Sequence, residues 1–272
     1  MRERAATADD HRLFVDFQKV LGIEQGALPA DRWRENAMPA TFFLETDGGE
    51  VMGYALCRPY GPRGDVRQIA VSPAHQRRGV GRELMRRVAA KLRAAGCVEW
   101  RLEVRADNAP ALALYRAVGM QPLRRQTVFR STAAELEAVL AGAVILDDEL
   151  RTVGADDDEL DVATRFDLPP GKLARMELLR PGGVVLAIER GDHVVALARF
   201  HPELAPGLGI MFPLRAGSAM DAQALLAACL RGAALPPEVE LCVDDRPVRD
   251  WLIAAGLAPR EELEIMGGAL PP

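Results

Sequence analysis

A chain of 272 residues with 49% hydrophobic and 27% charged side chains can build two globular cores, which excludes a disordered or fibrous polymer. Its net charge of −5 is unevenly split. Residues 1–130 carry 22 basic and 15 acidic side chains and the remainder 12 and 24, so an anionic ligand is expected on the first half.

No run approaches the roughly 20 apolar residues of a membrane helix, and Met1-Arg2-Glu3-Arg4-Ala5 leads into no apolar stretch. Neither a membrane nor a secretory signal is therefore expected. Cys57, Cys97, Cys229 and Cys242 lie far apart without C-x-x-C spacing. They read as buried, reduced thiols of a cytoplasmic protein, and no metal is expected. With no zinc-finger spacing and no aromatic-interleaved basic stripe, nucleic acid is not an expected partner, and a small polyanion fits better.

In chain order, Leu13, Phe14, Phe17, Val20 and Leu21 fall at near-helical spacing and predict a helix over 11–21, followed by another over about 30–37. Ala40–Thr46 and Val51–Arg58 read as strands joined by the turn Asp47-Gly48-Gly49. Arg67–Val71 reads as a strand stopped by Ser72-Pro73. Val80, Leu84, Val88 and Leu92 recur every four residues, which predicts a helix from about Gly81 to Ala95 with Gly96 as its stop. A strand over Val98–Val104, a helix over Pro110–Val118 ending at Gly119, and a strand over Gln126–Phe129 follow. Thr132-Ala133-Ala134-Glu135 has capping-box spacing and opens a joining helix to about Leu140. Asp156-Asp157-Asp158-Glu159 reads as a solvated helix start rather than a metal site.

The second half repeats this order. The turn and strand Gly191–Leu197 echo Gly49–Ala55, and Val239–Val243 echoes Val98–Val104. Asn108, Pro110, Gly119 and Pro122 correspond to Asp245, Pro247, Gly256 and Pro259 at one constant offset, which an internal duplication explains.

The strongest chemical signal is Val71-Ser72-Pro73-Ala74-His75-Gln76-Arg77-Arg78-Gly79-Val80-Gly81-Arg82. A strand ends, a loop carries glycines and arginines, and an amphipathic helix begins. Such a loop presents backbone N–H groups at the positive end of a helix dipole, which suits phosphate. It lacks the Lys-Ser/Thr of a nucleotide-triphosphate loop. His75 reads as a solvated loop histidine.

The Q-x-x-G-x-G run Gln76–Gly81 after Gln68-Ile69-Ala70-Val71 resembles the pyrophosphate loop of the GNAT superfamily of N-acyltransferases. Leu102-Glu103-Val104-Arg105-Ala106-Asp107-Asn108, with Ala111, Leu114, Tyr115, Gly119 and Met120, is similar to that family's second signature. The resemblance covers residues 1–130. It implies an α/β fold, a twisted mixed sheet flanked by helices in which two parallel strands splay to admit acetyl-CoA. By resemblance, Ile69, Ala70 and Val71 pair with the pantetheine arm. Gln76, Arg77, Arg78, Gly79, Val80, Gly81 and Arg82 form the pyrophosphate loop, Asn108 positions the pantetheine, and Tyr115 is the general acid. The segment Leu102–Asn108 particularly resembles bacterial enzymes that acetylate protein N-terminal amines, in which a glutamate here, Glu103, serves as base. A surface carboxylate paired with a neighbouring arginine is the other reading of Glu103. The tail of the ribosomal-protein acetylases is not evident after Phe129.

The expected organisation is a catalytic domain over 1–130, a connecting helix over 131–144 and a degenerate, non-catalytic GNAT-like domain over 145–272. In the latter, Met211–Ser218 replaces the glycine loop and Leu252 stands where Tyr115 would. The expected activity is acetyl transfer from acetyl-CoA to a primary amine, on a small molecule or a protein N-terminus, by a monomer or homodimer. A non-catalytic acyl-CoA sensor is the alternative.

Overall fold

The computed structural model describes residues 1–23, 28–143, 149–153, 162, 165–173, 183–231 and 235–271. The chain divides into two compact units: Met1–Leu123 with Ile265–Pro272, and Arg124–Glu264.

In the first unit, strands β1 (Arg2–Ala5), β2 (Thr41–Glu45), β3 (Val51–Tyr60), β4 (Arg63–Val71) and β5 (Glu99–Arg105) lie side by side in that order. The first four pair antiparallel, whereas β4 and β5 run parallel. Alternation along β2 and β3 sends apolar side chains to both faces. Phe43, Tyr54 and Leu56 meet Phe14 and Phe17 of α1 (His11–Val20), together with Trp33. Trp33 lies on the π-helical turn Trp33–Ala37 that follows the short α2 (Ala30–Arg32). Phe42, Leu44, Ala55, Val66, Trp100 and Leu102 face the other way, against α3 (Val80–Ala94) and α4 (Ala109–Ala117).

The second unit repeats the plan. Strands β7 (Leu150–Thr152), β8 (Val184–Arg190), β9 (His193–Ala205), β10 (Leu208–Ala216) and β11 (Glu238–Val243) follow one another, with β10 and β11 parallel. The order β10, α6 (Ala219–Arg231), β11, α7 (Arg246–Ala254) matches β4, α3, β5, α4. Asp245 and Asn108 both stand at helix N-caps, and Gly256 and Gly119 both have φ above +90°, as the repeated skeleton requires. The capping box at Thr132–Glu135 opens α5 (Ala133–Val139). The acidic run 156–159 lies outside the described residues.

The unit boundaries differ from those drawn at 130 and 145. Strand β6 (Gln121–Thr132) pairs through Thr127–Thr132 with β11 of the second unit. The last strand, β12 (Pro259–Ala269), crosses the boundary at 264/265, and its Ile265–Ala269 portion belongs to the first unit. There Met266 is fully buried with Trp100 and Leu102, and Leu270 N–H donates to the Val98 carbonyl at 2.9 Å. Each unit is completed by a strand that is remote in sequence or shared at its end. A sequential reading of hydrophobic runs cannot anticipate this.

All four cysteines are buried. No helix among the described residues is long and apolar enough to cross a membrane.

Candidate active site

The site begins where β4 and β5 part. Their ladder holds Arg63↔Glu99 through Val66↔Leu102 and then stops, although β4 continues to Val71 and β5 to Arg105. Backbone groups of Ile69, Ala70 and Val71 on that side are therefore not taken by β5. The other edge of β4 stays paired, with Ile69↔Ala55, Ala70↔Tyr54 and Val71↔Gly53. This pairing carries a β-bulge: Leu56 faces Gln68 and Cys57 faces Val66, leaving Arg67 as the extra residue. A splayed parallel pair with a free inner backbone edge accepts an extended, amide-bearing ligand as a surrogate strand.

The loop after β4 is shaped by two left-handed residues, Arg77 at φ 60° and Gly79 at φ 81°. An arginine in that region is uncommon and marks an imposed turn. Gly79 is the N-cap of α3 and makes no side-chain capping bond, so the first-turn amides of Val80, Gly81 and Arg82 lack a side-chain acceptor. Arg77, Arg78 and Arg82 are exposed around them. A fifteen-residue helix directs its positive end into this ring, a ready anion site. Gly81 has a further role. A Cβ there would lie 3.1 Å from Leu114 Cδ2, so its absence lets α4 approach α3.

The loop is anchored from behind. Ser72 N–H donates to the Met52 carbonyl at 2.8 Å, and Gln76 Nε2 donates to the Val71 carbonyl at 3.3 Å. Gln76 thus turns back onto the strand end. His75 is not the solvated histidine expected from its loop position: it is 8% exposed, with Nδ1 3.0 Å from Ser72 Oγ and Nε2 3.7 Å from Glu50 Oε2. It ties the loop to the β2–β3 turn. Burial of one residue inside a polar loop leaves no periodic trace in sequence.

Asn108 is the N-cap of α4, and its Oδ1 accepts the Ala111 N–H at 3.2 Å. Its side-chain amide N–H groups are the part that can face a ligand. Tyr115, on the same helix, is 6% exposed within the α3–α4 core, and burial pushes its hydroxyl pKa up to about 12. Glu103 is exposed on β5. Of the two strand arginines that flank it, Arg105 forks onto Asp107, with Nε–Oδ1 3.1 Å and Nη2–Oδ2 2.9 Å. A charged neighbour is Arg67, which sequence reasoning missed because the bulge at which it sits is not a sequence pattern.

The second unit handles the same place differently. Its β10–β11 ladder runs on past an irregularity to Leu214↔Val243. Asp245 Oδ2 accepts the Ala216 N–H at 3.0 Å, and Ser218 and Asp221 cap α6, with the Asp221 N–H donating to Ser218 Oγ at 3.1 Å. Asp244 accepts from Arg215 (2.5 Å), Arg124 (2.8 Å) and Gln126 (2.5 Å). The helix start is capped from within, and the buried Leu252 offers no proton at the position of Tyr115.

Residues 11–120 match the acetyltransferase (GNAT) family. The chain is 41% identical over 113 residues to N-alpha-acetyltransferase RimI of Mycobacterium tuberculosis, a match spanning 39% of this chain and 70% of that one. It is 31% identical over 99 residues to the ribosomal protein bS18-alanine N-acetyltransferase of Escherichia coli K12, spanning 36% of this chain and 67% of that protein. In fold, it resembles a tandem GNAT protein from the clavulanic acid biosynthesis pathway, with a TM-score of 0.63 at 17% identity over 99% of this chain and 98% of the other. The chain belongs to the acetyltransferase (GNAT) family and is an N-acetyltransferase.

Proposed function

We propose that the first unit transfers an acetyl group from acetyl-CoA directly to a primary amine, and that the second unit is a non-catalytic GNAT-like domain. The observation that carries this reading is the parting of β4 and β5 beyond Val66 and Leu102, next to the uncapped start of α3.

The donor set fits acetyl-CoA, which is a substrate here and supplies an activated thioester. Backbone amides of Arg77–Arg82 and three exposed guanidiniums suit its pyrophosphate. The free edge of Ile69–Val71 suits the amides of its arm, with the side-chain amide of Asn108 as a further donor. Glu103 accepts a proton from the incoming ammonium, directly or through water, so that a neutral amine attacks. Tyr115 donates to the departing sulfur, and burial keeps its proton in place at neutral pH. Likeness to N-alpha-acetyltransferases favours a protein N-terminal amine as acceptor over other small primary amines.

In the second unit, the continued β10–β11 ladder, the self-capped α6 and Leu252 support a structural role. Thiol release from acetyl-CoA, followed across a panel of peptides and small amines, tests the proposal. Amine-dependent release is expected. A complete absence of release with every acceptor would contradict it.

A further inference from the structure

Arg67 is the residue at which two irregularities of β4 coincide. It is the extra residue of the β3–β4 bulge, and it is the first residue past the last β4–β5 pair, Val66↔Leu102. Glu103 is the first residue past that pair on β5. Val66 and Leu102 are buried on the α3 face, so alternation sends Glu103 to the opposite face; Arg67 and Glu103 are both exposed and close enough for their charges to act on each other. Asp65 and Arg101, paired in register just before the fork, share that face. Two cations and two carboxylates thus lie beside the point where the strands part.

Although part of its side chain meets solvent, Arg67 is crowded enough by protein that desolvation works against its charge, yet the carboxylates of Glu103 and Asp65 outweigh this and hold the guanidinium pKa above its ordinary value. That balance depends on Glu103 remaining ionised. As base, Glu103 takes one proton from the acceptor ammonium, becomes a neutral acid and leaves a neutral amine. Arg67 then loses part of its counter-charge. A carboxylate carried by the acceptor restores the counter-charge at that step.

Resting on the transferase reading above, we infer that Arg67 is a specificity-determining residue that reads a carboxylate on the acceptor, so the preferred substrate is a primary amine with an acidic group close to it. The carboxylate can belong to an acidic residue at a polypeptide N-terminus or to a free amino acid.

The test uses the full chain, saturating acetyl-CoA and peptides identical except for Glu, Gln or Lys at the first position, with free glutamate and glutaminol as the small-molecule arm. Kcat/KM for the Glu peptide is expected to exceed that for the Gln peptide by about tenfold, the scale of one charge-assisted hydrogen bond, with the Lys peptide poorest. Arg67→Gln should erase the Glu-to-Gln ratio, and Arg67→Glu should turn the preference toward Lys. Calorimetric affinity for acetyl-CoA should stay unchanged in both variants. Preference confined to the peptides assigns the carboxylate to a polypeptide, and preference confined to free glutamate assigns it to an amino acid. Equal use of Glu and Gln acceptors by the unaltered protein, or an equal loss on all acceptors in Arg67→Gln, would overturn the inference while leaving the transferase reading intact. Absence of transfer to every acceptor would overturn both.

Discussion

Val66 and Leu102 are the last residues that β4 and β5 hold in register. Beyond them the two strands carry the residues argued to do the chemistry: Ile69–Val71 on one arm and Glu103 on the other. In the second unit the corresponding pair of strands remains joined as far as Leu214 and Val243. The two notches thus differ in how far a parallel ladder is allowed to run.

Tyr115→Phe removes one hydroxyl from a side chain that is otherwise buried in the α3–α4 core. Packing should be retained, and kcat should fall roughly a hundredfold or more, the scale of a lost general acid. Acetyl-CoA affinity should change little. Steady-state kinetics beside calorimetry separates the two, and an unchanged kcat would remove Tyr115 from the mechanism.

Glu103→Gln should depress activity most below neutrality. There the acceptor amine is protonated and needs a base. Activity should recover as pH rises toward the amine's own pKa, where the neutral form is supplied by solvent. A pH–rate profile parallel to that of the unaltered protein would move the base elsewhere.

Alkaline stability offers a check on burial. Tyr115 has its pKa pushed up to about 12, and burial raises Tyr54 in the same direction. Unfolded tyrosine ionises near pH 10, so the stability Tyr115 contributes is fully present below about pH 10 and is lost as pH climbs toward about 12, while that of Tyr54 is lost further up. Denaturant midpoints should fall across that window. The fall should be smaller in Tyr115→Phe, and an identical fall in the variant would mean that Tyr115 ionises freely when folded.

Gly267 lies on the part of β12 that belongs to the first unit. A Cβ at this position would meet the Trp100 carbonyl and Leu123 Cδ1 at 2.8 Å and Arg101 Cγ at 2.9 Å. Gly267→Ala should therefore destabilise the protein by about 1–3 kcal/mol, as overpacking does. Chemical denaturation measures this, and a neutral effect would show that the C-terminal strand yields easily.

Much of the fold was legible because its helices announce themselves. The four-residue recurrence from Val80 to Leu92 predicts α3 to within a residue, and the Asn108–Gly119 frame marks α4 with a cap and a stop. The glycine loop was legible for a similar reason, since a left-handed Gly79 before a helix leaves a compositional trace. Other features leave none. Strand β1 is Arg-Glu-Arg-Ala and is held by Arg2 and Arg4 on Glu45, contacts between side chains some forty residues apart. The burial of His75 and the position of Arg67 depend on a loop fold and a bulge, neither of which follows a period. The placement of Ile265–Ala269 with the first unit is a long-range pairing choice that local pattern does not specify.

The most direct test of the central claim is calorimetric titration of acetyl-CoA into the full chain, beside an Arg77→Glu/Arg78→Glu double variant. Both side chains are exposed, so the variant should keep its thermal midpoint. One binding site per chain, lost or strongly weakened in the double variant, is the predicted result. No binding to the unaltered protein, or binding that the double variant leaves intact, would contradict it.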